Sequence, residues 1–242
     1  MGMTDAERDE LSEVLGRCDD SLADKPILSK VYDLDWRCGF RKDSMACSSL
    51  ADVEYPAAYA ACHFSLLPVD YQQRVEEGVG IILRKLCARE SAHFIERLRE
   101  RGCASAEEEA LLARGFALVF GEDAIQPPQG SPNDRRPEFS VRIGQVEIDV
   151  EAKGLFDSDL VRRLSKTARR QGKCSWATGD RRVNAVHRVR SSVAKKLLKT
   201  SLGRRTMLVL RTYSLWPSAD KTVDLLRKMT LNPAAYEIPW QY

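Results

Sequence analysis

Between residues 138 and 153 the chain concentrates side chains that can do chemistry. Glu138, Glu147, Asp149, Glu151 and Lys153 fall in two short segments separated by Gly144 and Gln145. Carboxylates are hard oxygen donors that suit Mg2+ or Mn2+ and leave open positions for water and phosphate. An ion held in this way lowers the pKa of a water and offsets charge developing on a phosphate. A lysine alongside can steady the attacking water or a non-bridging phosphate oxygen. That chemistry requires the backbone to bring the acids to one place.

The two segments predict a hairpin. Residues 138–143 and 146–153 are strand-like and flank a two-residue turn with glycine first. In the second strand Val146, Ile148, Val150 and Ala152 share one face, and Glu147, Asp149, Glu151 and Lys153 the other. In the first strand Phe139, Val141 and Ile143 form the apolar face, with Glu138, Ser140 and Arg142 opposite. Closing the turn pairs Ile143 with Val146. Arg142 then faces Glu147, Ser140 faces Asp149, and Glu138 faces Glu151. Apolar residues pair with apolar ones throughout, so both strands support one register. Two carboxylates placed opposite each other repel, and a divalent cation between them turns repulsion into ligation. A second reading stays open on periodicity alone. A half-exposed hairpin carries a polar outer face in any case, and Glu beside Lys is then a surface ion pair of little worth.

The stretch PEFSVRIGQVEIDVEAKGL resembles the signature of the PD-(D/E)XK nuclease superfamily. In that family an acid after a proline begins one strand, and Glu-x-Lys ends the next. Pro137–Glu138 is similar to the first part, with Glu where Asp is usual, and Glu151–Ala152–Lys153 to the second. The resemblance spans roughly residues 105–213. It implies a restriction-endonuclease-like core, an α/β fold with a mixed central sheet flanked by helices. It also implies that Glu138, Glu151 and the backbone carbonyl of Ala152 bind Mg2+ or Mn2+, and that Lys153 is catalytic. The implied activity is metal-dependent hydrolysis of phosphodiester bonds, with DNA as the partner and RNA left open. The alternative is a nuclease-fold chain that binds nucleic acid, or assembles on it, without cutting.

Family members often add a glutamate from the preceding helix. Of Glu107, Glu108 and Glu109, Glu108 has Leu111, Leu112 and Gly115 at helical spacing, which predicts a shared inward face and a third acidic ligand. A plain first-turn role toward the helix dipole fits all three equally well.

The elements that must position these groups read as follows. A short amphipathic helix is expected over 5–15, then an irregular stretch rich in Cys and Trp. Residues 70–101 have a helical pattern. Ser105 predicts an N-cap for a helix ending at Gly115, and 116–120 reads as a buried strand. Residues 121–136 read as a loop. Beyond the hairpin come helices over 157–170 and 182–200, a strand over 206–213 and a short helix over 222–229. These divide into an ancillary, mostly helical region at 1–68, a core at 69–215 and a C-terminal extension at 216–242.

The net charge of +3 conceals a strong asymmetry. Residues 153–211 contain 17 Lys and Arg against 3 Asp and Glu, whereas the first 152 contain 18 against 29. A basic block of this size is the electrostatic footprint of a polyanion partner. Arg182, Arg188, Arg190, Lys195, Lys196 and Lys199 lie on the expected 182–200 helix and are the candidate phosphate contacts. Trp176 reads as a buried ring or a base-stacking one. Seven cysteines at irregular spacing indicate neither a disulfide framework nor a zinc ribbon, which predicts reduced, mostly buried thiols. No apolar run approaches the ~20 residues needed to span a bilayer, and a cytoplasmic protein without membrane association is expected.

Overall fold

The computed structural model describes residues 2–65, 67–100, 104–128, 137–155 and 205–212, with Ser191, Val193, Asp224, Arg227 and Lys228 at isolated positions. The chain forms two compact units, Met1–Asp123 and Ala124–Tyr242. Among the described residues no helix is long and apolar enough to cross a membrane.

Among the described residues the first unit has six α-helices. Thr4 starts α1 (Asp5–Ser21) through a reciprocal cap: its hydroxyl accepts from Glu7 N–H, and its own N–H donates to the Glu7 carboxylate at 2.8 Å. The stretch expected to be irregular contains α2 (Pro26–Val31) and α3 (Leu34–Met45). Asp33 caps α3, accepting from Trp36 N–H at 2.9 Å, and this bond together with Arg99 holds its carboxyl below the usual range. Trp36 and Phe40, one turn apart, stack at 5.0 Å. The single helical pattern over 70–101 is two helices, α4 (Tyr71–Lys85) and α5 (Ala88–Arg99). The break falls where Leu86 turns extended and Cys87 N–H donates to Glu90, which caps the new helix. Helix α6 (Ala104–Phe120) completes the unit.

Helix α6 corrects two expectations. It runs through Gly115 and absorbs the apolar run at 116–120, which is therefore not a strand. A mid-helix glycine costs only about 1 kcal/mol, less than continued helical bonding returns. The helix stops at Gly121, whose φ of +85° suits glycine and whose N–H donates to Ala117 O at 2.9 Å. Leu118, Val119 and Phe120 are exposed.

Buried acids tie these helices together. Glu76 on α4 accepts from Ile27 and Leu28 N–H at 2.8 and 2.7 Å, capping α2, which has no side-chain cap of its own. Glu107 on α6 accepts from Ala58 N–H and Tyr71 OH, both at 2.7 Å. Glu109 takes Arg97 in a two-point ion pair. Helices α4 and α6 also approach closely at Gly78, where an added Cβ would lie 2.0 Å from Ala110 O. These ties place α4, α5 and α6 with the N-terminal residues, so the first unit extends well past the boundary expected at 68.

The second unit contains a four-stranded mixed sheet in the order β1 (Ile125–Gln126), β2 (Phe139–Ile143), β3 (Val146–Leu155), β4 (Arg205–Thr212). β1–β2 and β2–β3 are antiparallel, and β3–β4 is parallel. The first strand of this sheet therefore lies in the stretch expected to be loop. A parallel pair needs a crossover of a dozen or more residues, and the 49 residues between Leu155 and Arg205 supply it. Of the helix expected over 182–200, Ser191 and Val193 are described, both helical, with Val193 buried. Of the 222–229 helix, Asp224, Arg227 and Lys228 are helical, and Lys228 pairs with Asp224 at 2.7 Å. The 157–170 segment and Trp176 lie outside the described residues.

Replacing Gly78 with Ala drives a methyl into the Ala110 carbonyl, and helices packed this closely must part. Chemical denaturation followed by circular dichroism should show a loss of about 2–3 kcal/mol. An unchanged midpoint would mean that the α4–α6 crossing yields freely.

Candidate functional site

The hairpin forms in the register expected from its sequence. Ile143 pairs with Val146, Arg142 with Glu147, Val141 with Ile148, Ser140 with Asp149 and Phe139 with Val150. Gly144, first in the turn, has φ +61°, a conformation that favours glycine. The ladder begins at Phe139, so no strand pair joins Glu138 to Glu151. Glu138 sits at a bend one residue earlier, half-buried, and donates its N–H to Val150 O at 3.2 Å. That carbonyl belongs to the residue paired with Phe139, so the chain turns aside before a Glu138–Glu151 pair can form.

Burial separates the two readings of the polar face. Ser140, Asp149 and Glu151 are 0, 2 and 1% exposed. The opposite face is equally buried at Phe139, Val141, Val150 and Ala152. This is not the solvated outer side of a hairpin. An ionised carboxylate taken out of water is costly unless partnered, and neither Asp149 nor Glu151 is without a partner. Ser140 Oγ donates to Asp149 Oδ1 at 2.8 Å.

Strand β4 extends the pattern. Its register sets Thr206 beside Asp149, Leu208 beside Glu151 and Leu210 beside Lys153. Alternation then puts Ser140, Asp149 and Thr206 in one row on one face, with Glu151 further along β3. Thr206 Oγ1 is buried and makes no hydrogen bond. The side chain of Lys153 lies outside the described set; its backbone is fixed in the β3–β4 ladder.

The donor set suits a hard divalent cation: two buried carboxylates two residues apart on one strand face, and a buried hydroxyl beside them with a proton to donate. Among the described residues no group of three or more His, Cys, Asp or Glu converges to hold a metal. Mg2+ does not require one, because it is commonly held by one or two carboxylates and keeps several waters.

Glu108 is on α6, in the first unit, and is itself buried, although the neighbours that singled it out are less so. Ala106, Ala110 and Ala113 form the buried stripe, Leu111 and Leu112 are half-buried, and Gly115 is exposed. All three glutamates are buried, Glu107 and Glu109 in the ties described above. Arg182, Arg188, Arg190, Lys195, Lys196 and Lys199 lie outside the described residues. Asp149 is not among the ligands that the resemblance implies, although it stands on the same polar face. Its signal is its place two residues before Glu151 on the same face of the expected strand. Compared with family models, with curated proteins and with solved structures, the chain matches none.

Ser140→Ala leaves Asp149 Oδ1 buried without its donor. Stability should fall by about 1–3 kcal/mol in a urea titration, the cost of a buried acceptor losing its partner. If the variant unfolds at the wild-type midpoint, the Ser140–Asp149 bond does not organise this face.

Proposed function

We propose that the second unit is a restriction-endonuclease-like core that hydrolyses DNA phosphodiester bonds with Mg2+ or Mn2+. The observation carrying this reading is the burial of Glu151 and Asp149 on one face of β3, immediately before Lys153, in a sheet whose last strand runs parallel. The strands support it as well: in the second unit three antiparallel strands are followed by one that runs parallel, the mixed sheet that the PD-(D/E)XK resemblance implies.

Glu151, with Asp149 and the Ala152 carbonyl, would hold the ion, and Glu138 would join from the bend before β2. When bound, Mg2+ or Mn2+ would lower the pKa of a water and offset charge on the phosphate and leaving oxygen. Lys153 would hold a non-bridging phosphate oxygen or orient the attacking water. Ser140 would keep Asp149 aimed along its row, and Thr206 would donate to a water or ligand oxygen. The basic block at 153–211 would neutralise flanking phosphates without reading bases.

A second reading, a chain that keeps the fold and binds nucleic acid without turnover, is favoured by two observations. Ser140 already occupies one oxygen of Asp149, and Glu138 lies outside the ladder. One assay separates the two. On linear, nicked, branched and single-stranded DNA with Mn2+, wild type should cut, and Glu151→Ala and Lys153→Ala should each lose about 100-fold or more. Both variants should still retain DNA on a filter. Retention by wild type with no cutting on any substrate would replace the hydrolase with the binding module.

A further inference from the structure

Five cysteines of the first unit are described, and they are not mostly buried as expected. Cys18 is enclosed, Cys47 is half-exposed, and Cys38, Cys62 and Cys87 are exposed. Two of them meet. Cys62 Sγ lies 3.9 Å from Cys18 Sγ, across 44 residues of chain. Neighbouring residues join the same two segments, because Tyr59 OH donates to Asp19 at 2.8 Å. The approach of the sulfurs is therefore set by a second, adjacent tie.

We propose that Cys18 and Cys62 form a reversible disulfide, with Cys62 as the thiol that meets a peroxide oxidant and Cys18 as the one that closes the bond. Their surroundings divide the roles. Cys62 is exposed, on a chain segment that is neither helix nor strand, held by short-range bonds such as His63 N–H to Ala60 O at 2.9 Å. Cys18 is 0% exposed on α1, and burial, followed by the proximity of Cys62, pushes its thiol well above the ordinary range. A thiol kept protonated and out of water is a poor first target for an oxidant.

The chemistry balances with hydrogen peroxide as the oxidant. Cys62 sulfur attacks one peroxide oxygen, the O–O bond breaks, and the other oxygen leaves as water, giving a sulfenic acid. Cys18 sulfur then attacks the Cys62 sulfur as its proton passes to the departing hydroxyl, so that the S–O bond breaks and a second water leaves. Two thiols have given up two protons and two electrons, and the peroxide has become two waters. Closing the bond shortens the sulfur separation from 3.9 Å to about 2.05 Å. A turn can supply that movement more readily than helix α1.

The bond would fasten the turn to α1 across a long loop, which restricts the unfolded chain and raises stability. The full-length protein, treated with hydrogen peroxide, alkylated and digested, should yield a peptide linked through Cys18 and Cys62 and released by dithiothreitol. Its melting temperature should exceed that of the reduced protein by about 5–10 °C. Cys62→Ser, an exposed change that leaves the core intact, should abolish both the linked peptide and the shift. Cys18→Ser should accumulate a sulfenic acid at Cys62 that dimedone captures. The proposal fails if wild type oxidises at Cys62 without linking to Cys18. It fails equally if Cys62 links as readily to another cysteine.

Discussion

A slip of one residue in the β2–β3 hairpin would exchange the faces of a strand and send every acid to the other side of the sheet. All that can be said of the sheet's chemistry depends on that slip not occurring. Two features prevent it. Gly144 takes up a turn conformation costly to most other residues, and three apolar pairs, Phe139–Val150, Val141–Ile148 and Ile143–Val146, agree on one alignment. Once that alignment is set, Ser140 must face Asp149, and Glu151 must share the face with both.

The molecule uses buried carboxylates in two ways. In the first unit they serve as fasteners. Glu76 caps a short helix from a distance, Glu107 gathers a backbone amide and a tyrosine, and Glu109 holds an arginine. Each accepts from specific donors, which is how a charge is kept in a protein interior at tolerable cost. On the sheet, Asp149 and Glu151 are just as buried, but they sit two residues apart on a strand, beside a threonine hydroxyl with nothing to bind. Ser140 already donates to Asp149, so this acid is tied as the helical ones are, and the Thr206 hydroxyl in the same row is a further buried donor. Placement on β3 just before Lys153, and not any lack of partners, is what favours the proposed chemistry on the sheet.

The hairpin was the most legible part of the sequence because a period of two and a two-residue turn leave little freedom. Local pattern misleads where it meets competing rules. Residues 116–120 are apolar enough for a buried strand, yet they continue an alanine-rich helix past Gly115 and end at Gly121, the glycine whose positive φ does stop it. The 16–68 stretch looked irregular because its helices are short and one of them, α2, is capped by Glu76, a residue about fifty positions away. No local window contains that information. Glu138 shows the limit of extrapolating a register, since a ladder predicts pairs only as far as the strand continues. Asp149 was in view but undervalued, because burial on both faces of the sheet depends on packing that periodicity does not report.

The most direct test is a Mn2+ titration of the intact protein read by electron paramagnetic resonance, comparing wild type with Glu151→Gln, which keeps shape and removes charge. If the buried acids of β3 hold a cation, wild type should bind Mn2+ and the variant should bind at least about tenfold more weakly, the scale on which loss of a ligand or its support is felt. Equal binding by the two proteins, or none by wild type, would contradict the account.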